Sequence, residues 1–339
     1  MYAIINIEGS VTMSYKPPYT ITPKMIHLIA EIMKMIGQLS NQDHLNHQPK
    51  LRRKNMISSI YSSLAIEQNG LTLKQVSDIV NGKLVIGEMR DIVEVKNAIR
   101  VYDELFKINP FDIKHLLKYH GIMMESLIDD AGQFRKGEEG VFEDDRAIFM
   151  APPAERVPSL MRDLFDYLIH DDEHILIKSC VFHYEFEFIH PFSDGNGRMG
   201  RLFQTCLLAS KEKVFAYLPV ESIIKERQQA YYQAISSCHQ KGNSNDYIEF
   251  MLDAILETIK QTLKSSEQDI NHISIQMKKL MMLMEDGVPY TTQEIVSELR
   301  LKSRVSVKKN YIDPAIESGL IEMTIPDKPN SRNQRYIKK

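Results

Sequence analysis

Through most of the chain, apolar residues recur every three or four positions, which is the spacing of one face of an α-helix. Pro, Gly and Asn separate these periodic segments, as expected where helices end. The pattern predicts a mainly α-helical fold, with helices over residues 25–39, 51–68, 89–108, 111–126, 157–169, 175–189, 202–209, 223–236 and 246–263.

One short stretch has the pattern of strands instead. Val141 and Phe142, then Ile148 and Phe149, lie on either side of the polar residues 143–146. Apolar residues around a polar turn predict a β-hairpin. Strand pairing alone and a functional role for the hairpin are equally good interpretations of this pattern.

The last part of the chain has a pattern of its own. Residues 264–272 are polar and predict a linker. Three helical segments and two strand-like runs then follow, in the order typical of a winged helix-turn-helix domain. The predicted helices span 273–285, 290–299 and 303–318, and the predicted strands span 320–325 and 334–338.

Composition places the chain among ordinary soluble proteins, with 43% hydrophobic and 26% charged residues. It contains no apolar run of about 18 residues and no N-terminal signal pattern, so we expect no membrane span and a cytoplasmic location. Cys180, Cys206 and Cys238 lie in apolar or helical surroundings without metal-like spacing, which predicts reduced core thiols.

Charge is distributed unevenly along the chain. The net charge of −3 gives the protein as a whole no electrostatic reason to bind nucleic acid or an anionic membrane. Residues 301–339, however, contain nine Lys or Arg against four Asp or Glu. This region fits a DNA-binding face, although a protein-interaction domain with a solvated basic edge more often explains such a pattern.

The densest chemistry lies in residues 190–201, which read HPFSDGNGRMGR between two apolar runs. Pro191 cannot continue the preceding helix, because proline has no N–H and its ring clashes with the turn before it. The segment is therefore a loop, with Gly-Asn-Gly at the start of the next helix. A helix N-terminus with glycines favours a bound phosphate.

The side chains of this loop complete the pattern. His190 can serve as a general base near neutral pH, and Asp194 is a hard oxygen ligand suited to Mg²⁺. Arg198 and Arg201 share one face of the first helical turn, and guanidinium groups suit phosphate oxygens. The set predicts a phosphoryl- or nucleotidyl-transfer site. The plainer alternative is a helix–loop–helix corner with a buried histidine and surface arginines.

The segment matches the Fic motif, HPF-x-[D/E]-GNGR-x-x-R, at every specified position, so the chain resembles the Fic family. Proteins with this motif are mostly AMP transferases, which move AMP from ATP to a side-chain hydroxyl of a protein. The resemblance implies that His190 deprotonates that hydroxyl, that Asp194 holds Mg²⁺ and that Phe192 anchors the loop. The residues implied to bind phosphates are Gly195, Asn196, Gly197, Arg198 and Arg201.

A second family feature lies at the end of the helix predicted over 51–68. Many Fic proteins carry an inhibitory helix with the pattern [S/T]-x-x-x-E-[G/N], which Ser63 and Glu67 match and Gln68 does not. The resemblance implies that Glu67 pairs with Arg201 and blocks the productive pose of the γ-phosphate, the arrangement called class II. From the residues alone, a solvated glutamate at a helix end is the more usual interpretation.

The family also suggests where the target and the base of ATP bind. By resemblance, the hairpin residues Val141, Phe142, Ile148 and Phe149 form a flap that docks a segment of the target by strand addition.

By the same resemblance, Tyr231 and Tyr232 lie near the adenine, where aromatic stacking would hold it. Core packing explains the two tyrosines equally well. His239 replaces the Asn often found seven residues after the second tyrosine, which departs from the family pattern.

The residues and the resemblance together predict a Fic-type helical core with a small β-hairpin flap and a C-terminal winged helix. The expected activity is an ATP- and Mg²⁺-dependent protein adenylyltransferase, autoinhibited by Glu67, whose target is another protein or the chain itself. The predicted regions are an N-terminal helical region (1–110), a catalytic core (111–263), a linker (264–272) and a winged-helix domain (273–339).

Other functions are left open. One is a DNA-binding transcriptional regulator with a nucleotide-sensing Fic domain, and another is a Fic relative that transfers phosphate or removes AMP. An unrelated phosphohydrolase is disfavoured, because His190 has no carboxylate-rich partner set for a second metal. The sequence also leaves homodimerisation open.

Overall fold

The computed structural model describes residues 2–5, 11–41, 49–143, 146–272, 275–329 and 331–338. These residues are mostly helical, as the hydrophobic pattern predicts. The chain divides into two compact units, Met1–Lys34 with Met56–Ile259, and Met35–Asn55 with Lys260–Lys339. The first unit thus combines most of the predicted N-terminal region with most of the predicted catalytic core.

The first unit is built mainly of helices. Those lying wholly or partly in it are α1 (Pro23–Asn41), α2 (Pro49–Ile66), α3 (Leu73–Val80), α4 (Met89–Asp103), α5 (Ile113–Met123), α6 (Val157–His170), α7 (Ile175–Ile189), α8 (Asn196–Lys211), α9 (Val220–Glu226), α10 (Gln228–Lys241) and α11 (Asn245–His272). Short 3-10 turns add Leu105–Lys107, Ala154–Arg156 and Lys213–Tyr217.

The helices α7 and α8 form the centre of this unit and flank the loop 190–195. α7 is apolar all round and is buried along most of its length, as its sequence predicts. The ring of Phe182 lies 6.2 Å from that of Phe203 on α8. Gly200 permits this close packing, because a Cβ there would lie 2.9 Å from the His183 ring. The loop is therefore fixed between two core helices.

The end of α2 gives Glu67 a defined position. The Asn69 N–H donates to the Leu64 carbonyl at 3.1 Å, and the Gln68 N–H donates to the Ala65 carbonyl at 3.2 Å. This is the hydrogen-bond pattern of a Schellman cap. Gln68 takes the left-handed position of that cap, with φ of 67°, a conformation that Gly or Asn adopts at lower cost. The helix therefore ends directly before Glu67 and turns at Gln68.

Two antiparallel hairpins complete the first unit. β3 (Gly140–Glu143) and β4 (Arg146–Met150) confirm the predicted hairpin, and Ile148 is the extra residue of a bulge in its register. Two residues of its predicted turn, 144–145, lie outside the described residues. The other hairpin pairs β1 (Tyr2–Ile5) with β2 (Val11–Ser14). It was not predicted, because apolar and polar residues alternate only weakly there.

The second unit contains a small helical core with a three-stranded sheet. Its elements after α11 are α12 (Ile275–Leu283), β5 (Pro289–Tyr290), α13 (Thr292–Glu298), α14 (Arg304–Val307), a π-turn (Lys308–Ile312), α15 (Asp313–Glu317), β6 (Ile321–Met323) and β7 (Tyr336–Lys338). The strands pair in the order β5–β7–β6. This order is consistent with the predicted winged helix, and β5 is the strand that the sequence did not reveal.

The predicted linker differs from expectation. Residues 264–272 are helical and form the last turns of α11. Their polar composition suggested a loop, but the segment contains no Gly or Pro, and Lys, Glu and Gln are good helix formers. Polarity along the whole segment therefore did not indicate a break in the helix.

Among the described residues, no helix is long and apolar enough to cross a membrane. Cys180, Cys206 and Cys238 are buried free thiols, as predicted. Burial raises the pKa of the Cys180 thiol to about 12, so this side chain is an inert part of the core.

Candidate active site

A cavity of about 430 Å³ lies between the loop 190–195, the end of α2 and the helices α8 and α10. Two groups of residues line it. We call the first the loop wall, and it consists of Glu67, Glu187, His190, Ser193, Asp194, Gly195, Asn196, Gly197 and Arg201. We call the second the α10 wall, and it consists of Tyr231, Tyr232, Ile235, Ser236, His239 and Gln240.

His190 ends α7 in a left-handed conformation with φ of 49°, which is uncommon for a residue with a side chain. Its backbone N–H donates to the Phe186 carbonyl at 2.9 Å. The ring nitrogen Nδ1 lies 3.4 Å from the Glu187 carbonyl, which can only accept, so Nδ1 carries the proton. In this tautomer Nε2 is the basic nitrogen, which a general base requires.

His120 of α5 packs against the loop 190–195 and hydrogen-bonds to it. Its ring stacks on Phe192 at 3.6 Å between centroids. Its Nδ1 accepts the Gly132 N–H at 2.8 Å, so its Nε2 carries the proton and donates to the Asp194 carbonyl at 3.0 Å. Burial lowers the pKa of His120 to about 4, so the ring is neutral near pH 7. A neutral imidazole is needed here, because one nitrogen accepts while the other donates.

Arg135 fixes the beginning of the loop to the base of the β3–β4 hairpin. It is 3% exposed, and its guanidinium donates to the carbonyls of His190, Gly137 and Pro152 at 2.7, 2.7 and 2.5 Å. Its backbone N–H donates to the Pro191 carbonyl at 2.9 Å. The arginine thus satisfies carbonyls that the end of α7 leaves unpaired.

Asn196 closes the other end of the loop. Its side chain accepts the Phe192 N–H at 2.9 Å and donates to the Phe192 carbonyl at 2.7 Å. Gly195 before it has φ of 85°, and a Cβ there would lie 2.7 Å from the Met124 sulfur. Gly195, Asn196 and Gly197 therefore bring the N-terminus of α8 to the cavity, where the helix dipole favours an anion.

The position nearest this N-terminus holds the carboxylate of Glu67. Arg201, 2% exposed, donates to Glu67 at 2.7 Å and to the Ser63 hydroxyl and carbonyl at 3.1 and 3.0 Å. A Cβ added at Gly197 would collide with the Glu67 carboxylate. Burial alone would lower the pKa of Arg201, but Glu67, together with Tyr231 and Glu187, outweighs that effect and raises the pKa. One carboxylate thus contacts both the glycine and the arginine expected to meet phosphate.

Asp194 and Arg198 are joined in a second ionic network with α4. Asp194 accepts from Arg198 at 2.7 Å and from the exposed Arg90 at 3.0 Å. Arg198 is 3% exposed and also lies 3.3 Å from Glu94, an ion pair without hydrogen-bond geometry. Glu94 accepts from the Asn69 side chain at 2.9 Å.

The structure therefore separates the two arginines predicted to bind phosphate. Arg201 lines the cavity, whereas Arg198 is not among the lining residues that we describe and is turned toward Glu94 and Asp194. Their spacing of three residues places both on one side of α8, but that spacing cannot distinguish the two directions.

The two tyrosines also differ. Tyr231 is 2% exposed, and its hydroxyl lies 3.3 Å from His183 within an aromatic cluster that includes Tyr247. Tyr232 is 49% exposed. Core packing explains most of the surface of Tyr231, whereas Tyr232 offers an open ring to a ligand. His239 lines the same wall, and burial lowers its pKa, so its imidazole is neutral near pH 7.

Glu187 also lines the cavity, and its role was not predicted from the sequence. Its carboxylate lies 3.7 Å from the His183 ring. Burial alone would raise its pKa, but His183, His190 and Arg201 outweigh that effect and lower it, so the group is an anion at neutral pH. The loop wall therefore contains three carboxylates, from Glu67, Glu187 and Asp194.

Four residues that shape the site were not predicted from the sequence. For two of them, the sequence contained a pattern that could have identified them. His120 follows Leu116 by four positions, and Glu94 precedes Ala98 by four, so both lie on apolar stripes of their helices. Polar residues on such stripes are candidates for buried hydrogen bonds. Arg135 had no comparable signal, since it lies in a loop without periodicity. Glu187 was hidden because α7 is buried on nearly every face.

Two parts of the chain match known protein families. Residues 110–208 match the Fic/DOC family, and residues 275–337 match the C-terminal domain of Fic-like "filamentation induced by cAMP" proteins. A crystal structure of a Fic family protein from Desulfovibrio desulfuricans G20 is 42% identical, with a TM-score of 0.72. The match covers 96% of this chain and 98% of that chain.

More distant relatives carry a named activity. The protein adenylyltransferase Fic of Aedes aegypti is 25% identical over 246 residues, which are 69% of this chain and 46% of that protein. The protein adenylyltransferase Fic of Nematostella vectensis is 28% identical over 223 residues, 61% of this chain and 48% of that protein. The chain thus spans about half the length of the curated relatives it matches.

Proposed function

Because the chain belongs to the Fic family, we propose that it is an ATP-dependent protein adenylyltransferase that Glu67 restrains. The observation that carries the proposal is the position of the Glu67 carboxylate, against Gly197 and Arg201 in the cavity that also contains His190. A carboxylate there occupies an anion site at a helix N-terminus. The anion that competes for it is the terminal phosphate of ATP.

The α10 wall supports a nucleotide as the ligand. Tyr232 offers an exposed ring to a purine, and Ile235 adds apolar surface beside it. His239 takes the place of the family's Asn with a neutral imidazole that can donate or accept one hydrogen bond. The triphosphate then extends toward the loop wall.

In the reaction, the Nε2 atom of His190 accepts the proton of a hydroxyl on the target protein. The hydroxyl oxygen forms a bond to the α-phosphorus while the bond from that phosphorus to the bridging oxygen of the β-phosphate breaks. Pyrophosphate leaves with the electron pair. Arg201 and the N-terminal amides of α8 hold the charge of the departing phosphates. Arg198 keeps Asp194 and the loop in place instead of binding phosphate.

Asp194 fits the role of a magnesium ligand. It lines the cavity, it is a hard oxygen donor, and Mg²⁺ needs only one or two carboxylates beside the substrate's phosphates. Within the described residues, no cluster of three or more ligating side chains offers a rival metal site. When bound, Mg²⁺ would neutralise phosphate charge. Arg90 would turn away from Asp194, at small cost because its side chain is 60% exposed.

The flap and the target are part of the same proposal. The β3–β4 hairpin, whose base Arg135 joins to the loop, would dock an extended segment of the target by strand addition. Backbone hydrogen bonds would then present a Ser, Thr or Tyr hydroxyl to His190 with little dependence on the target's sequence.

The test uses ATP labelled at either phosphate. The wild type, Glu67→Gly and Glu67→Gly/His190→Ala proteins are incubated with Mg²⁺ and ATP carrying ³²P at the α- or the γ-position, with and without a cell lysate as a source of targets. We expect protein label from α-labelled ATP that is strongest with Glu67→Gly and lost in the double variant, and γ-label from lysate kinases that is the same for all three proteins. Label from the γ-position that rises with Glu67→Gly and is lost in the double variant would establish phosphate transfer and overturn the proposal.

A further inference from the structure

The second unit carries a helical surface whose charge opposes that of the rest of the chain. α14, the π-turn and α15 run without interruption over residues 304–317. Val307, Ile312 and Ala315 of this segment are buried in the core of the unit. The opposite side exposes what we call the basic helix face, which consists of Arg304, Val305, Ser306, Lys309 and Asn310.

Positive charge is concentrated in the part of the sequence that contains this face. Residues 299–312 contain five Lys or Arg and no Asp or Glu, although the whole chain has a net charge of −3. The acidic residues of the helical segment, Asp313 and Glu317, come after the basic helix face. The N-terminal half of the segment is therefore the end that would attract a polyanion.

The helices around this face have the arrangement of a helix-turn-helix. α13 precedes the segment, and a short turn that includes Arg300 at φ of 53° connects them. Arg304 donates to the side chain of Gln293 on α13 at 2.5 Å, which links the exposed starts of the two helices. In such motifs the second helix enters the major groove with its N-terminal residues, while the first crosses the phosphate backbone.

The chemistry of the basic helix face suits a duplex more than an acidic protein. Lys309 and Arg304 can meet phosphates, and Asn310 carries the amide that pairs with adenine edges in the major groove. Val305 is 78% exposed, and an apolar side chain on a basic surface can contact the methyl group of thymine. The connection between β6 and β7 adds the exposed cations Lys328 and Arg332.

We infer that this second unit binds double-stranded DNA, with residues 304–310 in the major groove. The inference is independent of AMP transfer, because none of these residues lines the cavity. It assigns to the chain a second ligand, a nucleic acid, besides the nucleotide proposed for the first unit.

The test measures binding of the full-length chain to a fluorescent, random-sequence duplex of about 30 base pairs at salt concentrations from about 50 to 200 mM. The variant Arg304→Ala/Lys309→Ala removes two charges from the basic helix face. The matched control Lys278→Ala/Lys279→Ala removes two exposed charges from α12. We expect the first pair to weaken binding about tenfold and to reduce the salt slope by about 2, since each phosphate contact contributes about 0.9. The control should change affinity less than about twofold.

Sequence readout is tested with a duplex selected from a random library. Asn310→Ala should lower the preference for the selected sequence while retaining binding to random duplexes. Three results would overturn the inference: no duplex binding at low salt, equal losses in the two charge-removal pairs, or single-stranded DNA binding as tightly as duplex. AMP transfer by the same preparations should match wild type, so a failure here is distinct from a failure of the proposed enzyme.

Discussion

On the loop wall of the cavity, buried side chains hydrogen-bond to Glu67, His190 and Asp194, whereas the α10 wall combines the buried Tyr231 with partly exposed side chains of the same helix. His120, Arg135 and Asn196 each bond to backbone atoms of the loop from outside the cavity or from its edge. Tyr232, on the other wall, is 49% exposed and makes one hydrogen bond of 3.3 Å with Gln228. The two walls thus differ in how rigidly their residues are held.

The difference follows the demands of the proposed reaction. Bond formation at phosphorus needs the base, the phosphate and the attacking oxygen within a narrow geometry, and small displacements lower the rate strongly. Recognition of a purine needs mainly a flat apolar contact, which tolerates small movements. We therefore expect substitutions behind the loop wall to affect stability and those on the α10 wall to affect the affinity for ATP.

The largest effect on stability is expected from Glu94→Ala. The variant leaves Arg198, 3% exposed, with Asp194 as its remaining ionic partner. Breaking a buried ion pair on one side typically costs about 3 kcal/mol of unfolding free energy. Arg90 on the same helix is a matched control, because its side chain is 60% exposed and its ion pairs are worth less than about 1 kcal/mol. Urea unfolding of Glu94→Ala and Arg90→Ala measures the difference between the buried and the exposed ion pair. Equal losses of unfolding free energy in the two variants would contradict the prediction.

The next effect concerns pH and the imidazole of His120. Burial lowers its pKa from 6.5 to about 4, so the unfolded chain binds the proton more readily than the folded chain. The contribution of His120 to stability is therefore complete above about pH 6.5 and is lost as the pH falls toward 4, by up to about 3 kcal/mol.

Melting temperatures of wild type and His120→Gln between pH 4 and 7 test this linkage. The variant should be less stable at pH 7, since it loses the ring stacked on Phe192. Its melting temperature should nevertheless fall less steeply with acid than that of the wild type. Parallel curves would show that His120 does not titrate as its burial indicates.

On the α10 wall, Tyr232→Ala should raise the KM for ATP about tenfold, because the stacking of a base on an aromatic ring is worth about 1 to 3 kcal/mol. The melting temperature should change little, since half of the side chain is already exposed. Tyr232→Phe keeps the ring and should leave the KM within about twofold of wild type. If Tyr232→Ala and wild type had a similar KM for ATP, the ring of Tyr232 would not contact the nucleotide.

The smallest effect is expected from Gln68→Gly at the end of α2. Glycine adopts the observed φ of 67° without the clash of a Cβ. The gain, of less than about 1 kcal/mol, is offset in part by the greater freedom of glycine in the unfolded chain. A firmer cap should also hold Glu67 more tightly, so basal AMP transfer should fall slightly. Gln68→Ala keeps the strain and should show neither change.

The sequence predicted the helices and the residues that line the cavity better than it predicted which partners their side chains contact. The spacing of apolar residues located the helices, and the loop motif brought His190, Gly197 and Arg201 to one cavity. The same spacing gave Arg198 and Arg201 equal roles, yet tertiary partners turn one toward Glu94 and the other toward Glu67. Those partners lie more than a hundred residues away, beyond the reach of a local pattern.

Polarity was also an unreliable guide to helix ends. Residues 264–272 are polar and remain helical, because helix propensity and the absence of Gly and Pro outweigh the loss of an apolar face. Gln68, in contrast, is a good helix former, yet α2 ends at Ile66, two residues before it. The cap depends on backbone hydrogen bonds to Leu64 and Ala65, which a residue-by-residue propensity does not contain.

The central claim is that Glu67 closes the phosphate site on the loop wall and leaves the nucleoside site on the α10 wall open. Calorimetry in the His190→Ala background, where turnover is removed, tests it by comparing ATP with AMP, with and without Glu67→Gly. We predict that Glu67→Gly increases the affinity for ATP about tenfold or more, as expected when an anion site at a helix N-terminus and its arginine become available. The substitution should leave the affinity for AMP unchanged, because AMP lacks the β- and γ-phosphates. An equal gain for both nucleotides, or a gain for neither, would contradict the account.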